Sequence, residues 1–327
     1  MSDLLQARRA EASRRLRLLA ESLVDAANLA KGKASVYLTG SFGRGEASAH
    51  SDLDLFIVGR SSPPDNKRAL SRLDETCVEA DLIRAIDKHG FPPFSGDGEW
   101  LAHYAIQDLI GKLGTAEDDA RNTFTARLLL LLESRALIGD DIREEAITET
   151  IEAYWRDYER HKTEFVPAFL TNDILRLWRT FCVNYEARTR SEPAWQKAKR
   201  KLKNYKLKHS RLLTCYSALL YLLAEFTIKG TVDKTAALAM TRLTPMERVA
   251  DLPTSSSEAT ESKAKLVACY EKFLVETDAS EDELVGRFMD SKRSGDYSND
   301  ARLMGDAVHD LLRSVGADSR FYRLLVV

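Results

Sequence analysis

Two runs decide how this chain folds: Ala34-Ser35-Val36-Tyr37-Leu38-Thr39-Gly40-Ser41-Phe42-Gly43-Arg44-Gly45 and, six residues on, Asp52-Leu53-Asp54-Leu55-Phe56-Ile57-Val58. Residues 34–39 form a short β-rich run closed by Gly40. Residues 52–58 form a second, in which Leu53, Leu55 and Ile57 alternate with Asp52, Asp54 and Phe56. Side chains two apart on a strand share a face, so Leu53 and Leu55 turn to the core while both carboxylates project together on the other side. The intervening loop is rich in Gly and Ser, and its glycines let the backbone come close to an anion. Free N–H groups, the Ser41 hydroxyl and the start of a helical turn there make an anion cradle. Arg44 adds a rigid cationic fork able to pair with a phosphate or to brace the loop.

Paired carboxylates beneath a phosphate cradle match a definite chemical demand. Transfer of a nucleotidyl group requires that a triphosphate be held and that the attacking and leaving oxygens around the α-phosphorus be stabilised. Two divalent cations roughly 3.5–4 Å apart can do this, and Mg²⁺ prefers hard oxygen ligands. The combination Gly40-Ser41, Arg44-Gly45 and Ser51-Asp52-Leu53-Asp54-Leu55 resembles the signature of the DNA polymerase β-like nucleotidyltransferase superfamily. The resemblance implies transfer of NMP from an NTP, ATP among them, to an acceptor hydroxyl with release of pyrophosphate. It implies Mg²⁺ or Mn²⁺ on Asp52 and Asp54, and phosphates on Gly40 and Ser41. It further implies a third carboxylate on a later neighbouring strand. Glu99 is the preferred candidate, as a catalytic residue and metal ligand, and Asp97 is the second metal-binding candidate, because both lie at the mouth of the only later strand-like run. Asp81 is weaker, since Glu79-Ala80-Asp81-Leu82-Ile83 sits in a helical pattern.

Working outward, residues 4–29 show helical spacing closed by Gly32, and residues 64–88 read as a helix opening on prolines and ending at Gly90. Residues 91–98 are a loop and residues 99–106 a third strand. After that, helical periodicity marks residues 122–137, 141–161, 171–188, 210–228, 244–252, 262–276, 281–292 and 301–315. The expected architecture is α+β: a small mixed sheet flanked by helices in residues 1–119, then an all-helical domain in residues 120–327 that closes the nucleotide cleft and binds the acceptor.

A fainter likeness lies at Leu131-Leu132-Glu133-Ser134-Arg135-Ala136-Leu137-Ile138-Gly139-Asp140, which is similar to the helix after the catalytic domain of PII uridylyltransferases and related enzymes. Glu133 and Arg135 themselves read as a solvated helix pair. Between Lys197 and Arg211 lies the densest cationic run of the chain, eight Lys and Arg interleaved with Tyr205, Leu207 and His209. One reading of it is a solvated face. In enzymes of the resembled family a lysine of the helical domain closes over the triphosphate, which makes Lys206 and Lys208 the candidates. The rest of the run could attract RNA phosphates. Arg176, on a helix with Asn172 and Arg179 at helical spacing, either approaches the nucleotide or acceptor or pairs with a surface acid. Trp178, Phe181 and Cys182 read as core, and His50 as a loop residue.

With 48 Lys and Arg against 50 Asp and Glu, no global positive field announces a nucleic-acid partner, so any such contact is local. Cys77, Cys182, Cys215 and Cys269 are too dispersed for a zinc site and read as buried thiols of a reducing compartment. No export signal or membrane-length apolar run stands out, and the expected location is cytoplasmic. Three acceptor classes stay open: an RNA or tRNA 3′ end, which the basic run favours, a protein side chain, or another nucleotide as in second-messenger synthesis. The competing reading is a catalytically inactive nucleotide-sensing or RNA-binding module.

Overall fold

The computed structural model describes residues 3–62, 67–94, 101–186, 193–254 and 256–327. The chain forms two compact units, Ser2–Arg156 and Asp157–Val327. The first holds helices α1 (Asp3–Glu21) and α2 (Val24–Ala30), strands β1 (Ala34–Thr39) and β2 (Asp54–Gly59), helix α3 (Arg72–Lys88), strand β3 (His103–Ala105), helices α4 (Ile106–Gly111) and α5 (Thr123–Glu133), strand β4 (Arg135–Ile138) and helix α6 (Asp140–Tyr154). The four strands form one mixed sheet in the order β3-β2-β1-β4. β1 runs antiparallel to both β2 and β4, and β3 runs parallel to β2.

Both faces of this sheet are covered, which is why its central strands are nearly all apolar. On one face Val36, Leu38, Leu55 and Ile57 join Leu16 and Leu19 of α1, Ala26 of α2 and Val78 and Leu82 of α3 in a continuous core. On the other, Tyr37 stacks on Phe56 with ring centroids 5.6 Å apart, and the Tyr37 hydroxyl reaches the Ala126 carbonyl of α5 at 3.5 Å. Burial pushes the Tyr37 phenol far above its ordinary pKa. Beside it Arg127 and Asp118 form an ion pair whose side chains are both fully buried, and Arg127 also donates to the Tyr154 hydroxyl at 2.9 Å.

Several elements depart from the sequence expectations for identifiable reasons. The helix expected over residues 4–29 is two helices, because Ser22 and Leu23 bond back three residues, to Leu19 and Ala20 at 3.0 Å each, and that tight turn drives Leu23 into the core. The helix expected from residue 64 starts at Arg72, with the Ser71 hydroxyl capping the Asp74 N–H, since Lys67–Arg68 first pair with Ser61–Ser62. The helix expected over residues 122–137 stops at Glu133, and residues 135–138 become β4, the strand that covers the outer edge of β1. The division anticipated near Asp119 falls between Arg156 and Asp157, because α5, β4 and α6 pack on the sheet of the first unit.

The second unit is all helical: α7 (Ala168–Glu186), α8 (Ala194–Lys206), a π-turn (Leu207–Arg211), α9 (Leu212–Lys229), α10 (Lys234–Arg242), α11 (Pro245–Asp251), α12 (Ser257–Glu276), α13 (Glu281–Met289), α14 (Ser291–Gly316) and α15 (Arg320–Val326). The charge run read as an approach to a helix is itself helical, and α8 continues through the π-turn into α9. This continuous helix, Ala194–Lys229, is long and apolar enough to cross a membrane by length and composition, yet 67% of its most apolar window is buried inside the unit, as in a core helix. Of the four cysteines only Cys215 is buried; Cys77 is exposed and Cys182 and Cys269 are half-buried, which corrects the expectation of four buried thiols.

Candidate active site

The β1–β2 register places Thr39 opposite Asp54, so the turn that leaves β1 starts beside the carboxylate that begins β2. Gly40 takes a left-handed backbone (φ +64°), and a Cβ built on it would stand 2.2 Å from Asp54 Oδ2. Only a residue without a side chain allows this backbone to touch that carboxylate. Asp52 precedes the strand rather than lying in it. The alternation nonetheless persists: Leu53 and Leu55 are each 2% exposed, whereas Asp52 and Asp54 stay half-buried. Thr39, 1% exposed, has a hydroxyl with no hydrogen-bond partner among the described residues.

The turn is locked from behind by a residue that sequence reading had placed in solvent. Glu133, at the last turn of α5, is buried, and its two carboxylate oxygens accept from the Gly40 N–H at 3.0 Å and from Arg44 Nη1 at 2.8 Å. Arg44 Nε donates to Glu46 at 2.5 Å, so the guanidinium sits between two carboxylates with 7% of its side chain exposed. Of the two roles open to Arg44, the structure shows the brace. The Gly40 N–H, engaged by Glu133, is likewise withdrawn from the anion cradle expected there. Gly43 completes the lock, since a Cβ on it would stand 2.1 Å from the Glu133 carbonyl oxygen. The half-exposed Ser41 keeps a hydroxyl that makes no hydrogen bond among the described residues, while its carbonyl accepts from the Glu46 N–H at 2.9 Å.

Helix α1 holds the segment that follows. Arg8 donates to the Glu46 carbonyl at 3.1 Å and Arg15 to the Ser48 carbonyl at 3.0 Å. The Arg15 guanidinium also lies 4.3 Å from the Phe91 ring centroid, and burial lowers its pKa. Arg135, on β4, donates to Ser13 of α1 at 3.2 Å, and its pKa is lowered by burial and then by the nearby Arg9. It is a half-buried strand residue, so neither member of the Glu133–Arg135 pair is a solvated helix position.

The structure thus gathers Gly40, Ser41, Arg44, Asp52 and Asp54 at one end of the sheet. Asp97 and Glu99 lie outside the described residues. Asp81 lies on α3 paired with Arg84 at 3.1 Å, and His50 is exposed in a turn. Arg176, Lys206 and Lys208 belong to the second unit. Arg176 lies 3.8 Å from Asp173, Lys208 Nζ sits 5.3 Å from the Trp178 ring centroid, and Lys206 is exposed at the end of α8. Trp178 is buried, whereas Phe181 and Cys182 are half-buried.

The donors fit a divalent cation in part. Asp52 and Asp54 offer hard anionic oxygens at a half-open position, and the contact of Gly40 with Asp54 leaves no room for a side chain. No group of three or more His, Cys, Asp or Glu suited to hold a metal ion occurs among the described residues.

Residues 17–93 match the family described as nucleotidyltransferase domain. The matched segment is less than half of the chain. It contains the glycine turn, Asp52 and Asp54, while Glu133, which holds the turn from behind, lies beyond it. By that match the first unit is similar to nucleotidyltransferase domains. The match stops short of residues 131–140, on which the likeness to PII uridylyltransferases rests. No curated protein matches the chain.

Proposed function

We propose that this protein is a metal-dependent nucleotidyltransferase that moves an NMP from an NTP to the hydroxyl of an acceptor. The observation that carries the reading is the contact of left-handed Gly40 with the Asp54 carboxylate, which sets a tight backbone turn and an acid side by side at the end of two paired strands. The acceptor hydroxyl loses its proton to solvent as its oxygen attacks the α-phosphorus, the bond from that phosphorus to the oxygen bridging to the β-phosphate breaks, and pyrophosphate leaves with that oxygen. Ser41 donates its hydroxyl to a phosphate oxygen, and Asp52 and Asp54 hold Mg²⁺ or Mn²⁺. When bound, the cation neutralises phosphate charge and stabilises the oxygens that gain it. Arg44 and Glu133 keep the turn in place and touch no reacting atom.

Incubation with each labelled NTP and Mg²⁺ or Mn²⁺, with and without total RNA, tests the proposal. Label on RNA, on protein or in a new small molecule names the acceptor. Asp54→Ala is expected to abolish transfer while leaving the fold intact. Full transfer by that variant would overturn the role given to Asp54, and nucleotide binding by the native chain without any pyrophosphate release would overturn the proposal in favour of an inactive nucleotide-binding module.

A further inference from the structure

Helix α1 carries five arginines, and three of them have evident structural work. Arg8 and Arg15 donate to the Glu46 and Ser48 carbonyls, and Arg14 pairs with Glu11 at 2.7 Å. Arg9 stands four residues before Ser13, so the two share a face of the helix. That face meets the glycine turn and β4. Arg9 Cγ lies 3.6 Å from where a Cβ on left-handed Gly45 would stand. Ser13 Oγ donates to the Arg9 carbonyl at 2.6 Å and accepts from Arg135 Nη2 at 3.2 Å.

Arg135 is the unusual member of this group. It is half-buried, yet it forms no ion pair among the described residues, and its hydrogen bond goes to a neutral hydroxyl. By contrast, Arg44 lies between Glu46 and Glu133, and Arg127 meets Asp118. Glu133, two residues before Arg135, has both oxygens committed to the Gly40 N–H and Arg44. The charge that Arg135 does feel is of its own sign: burial first and then Arg9 hold its pKa down. A guanidinium drawn partly out of water beside a second guanidinium, with no acid to meet it, is an unfavourable arrangement that a bound anion would relieve.

Strand register shows which side of the sheet this pair occupies. Arg135 is opposite Leu38, which points into the core shared with α1, α2 and α3. Asp54 is opposite Thr39, the next residue of β1, and therefore projects from the other face. From this arrangement we infer that Arg9 and Arg135, the latter positioned by Ser13, form a site for a phosphate group on the α1 side of the sheet, separate from Asp52 and Asp54. Guanidinium forks match oxyanions in shape and donor spacing. A carboxylate would neutralise one of the two cations, whereas a phosphate group, with about 1.5–2 negative charges near pH 7, answers both. The site depends neither on a metal nor on the transfer reaction proposed above.

Isothermal titration calorimetry and thermal unfolding of the full-length chain test this, with inorganic phosphate, pyrophosphate and AMP as probes and acetate at matched ionic strength as the control. The phosphate probes should bind and raise the unfolding temperature in step with their concentration, acetate should not, and the tightest probe identifies the source of the phosphate group. Arg135→Gln should weaken that probe by roughly ten- to a hundredfold, the range of a lost charge-assisted hydrogen bond, and Arg135→Lys should retain part of the affinity. Without any anion Arg135→Gln should unfold at the native temperature or above it, because it removes a charge that no acid meets. A fall in that temperature with probe binding unchanged marks a packing residue and overturns the inference. Arg9→Gln, at an exposed helix position, should weaken the same probe and serves as the test if Arg135→Gln does not fold. Asp54→Ala should bind the probe as the native chain does, whether or not the native chain transfers a nucleotide, so failure of the transfer reading leaves this site standing. Stabilisation by acetate equal to that by phosphate, equal binding by the native chain and Arg135→Gln, or binding lost in Ser41→Ala but kept in Arg135→Gln, which would put the anion on the glycine turn, overturns the inference.

Discussion

Replacing Glu133 by Gln changes one oxygen to an amide and should disable the glycine turn from behind. In the native unit the carboxylate serves two donors, the Gly40 N–H at 3.0 Å and Arg44 Nη1 at 2.8 Å, in a place where none of its side chain is exposed. Gln has a single acceptor oxygen, so one donor loses its partner and the new NH₂ faces another N–H. Breaking a buried ion pair by removing one charge costs about 3–5 kcal/mol. Arg44 keeps Glu46 as a counter-charge, which places the expected loss near the lower end, about 3 kcal/mol. Urea denaturation should show that loss in the first unit, and hydrogen exchange should show faster exchange across residues 38–46. Nucleotidyl transfer should fall with it, because the turn no longer holds Gly40 against Asp54. The reasoning is refuted if Glu133→Gln unfolds within about 0.5 kcal/mol of the native chain and transfers at the native rate.

Gly40→Ala should cost about 1–2 kcal/mol for a left-handed alanine and should also displace Asp54 Oδ2, abolishing pyrophosphate release while circular dichroism stays native. Asp118→Asn should strand Arg127, which has no exposed side-chain surface, and lower the urea midpoint of the first unit by the equivalent of about 3–5 kcal/mol. His209 makes stability depend on pH: burial is the largest cause holding its pKa down to about 4, against 6.5 in the open chain. Between those values the unfolded chain binds the proton and the folded chain does not, so stability is fully present above 6.5 and declines as pH falls toward 4. The decline should amount to roughly 3 kcal/mol, and His209→Phe, keeping a ring against Phe273, should remove it from the urea midpoints of the second unit measured across that range.

The sheet's first two strands and the two acids were legible because each signal is local. Leu53 and Leu55 alternate with Asp52 and Asp54 over four consecutive residues, and Gly40 marks the end of β1 whatever lies elsewhere. The helices of the second unit were legible for the same reason, their apolar spacing being complete within each run. What escaped was set by distant neighbours. Lys67 and Arg68 become extended only by pairing with Ser61 and Ser62, and a cationic run such as residues 197–206 has no periodicity of its own until Ala198, Leu202 and Tyr205 are seen to face one core. The Arg44 ambiguity was of the same kind, since its two carboxylate partners come from the loop and from the end of α5.

Glu133 and β4 escaped for a single reason that bears on how the site is built. The leucines from Leu128 to Leu132 carry a helical pattern that runs on through Leu137 without a glycine or proline to stop it, so local reading extends the helix and leaves Glu133 on its surface. The stop comes from outside: β1 presents an unpaired edge, Ser134 takes an extended backbone, and Ser35 Oγ donates to the Ile138 carbonyl at 2.9 Å once the new strand is in register. Ending the helix there is what puts Glu133 beside the end of β1, where the Gly40 N–H waits for an acceptor. Covering the sheet edge and locking the glycine turn therefore depend on the same helix end. A substitution that only weakens β4, such as Ala136→Pro, which removes an N–H and disfavours the strand, should loosen the turn at Gly40 although residue 136 touches neither the turn nor Asp54 in sequence. Faster exchange of the Gly40 amide in that variant would bear this out, and unchanged exchange there would show that Glu133 is positioned by α5 alone.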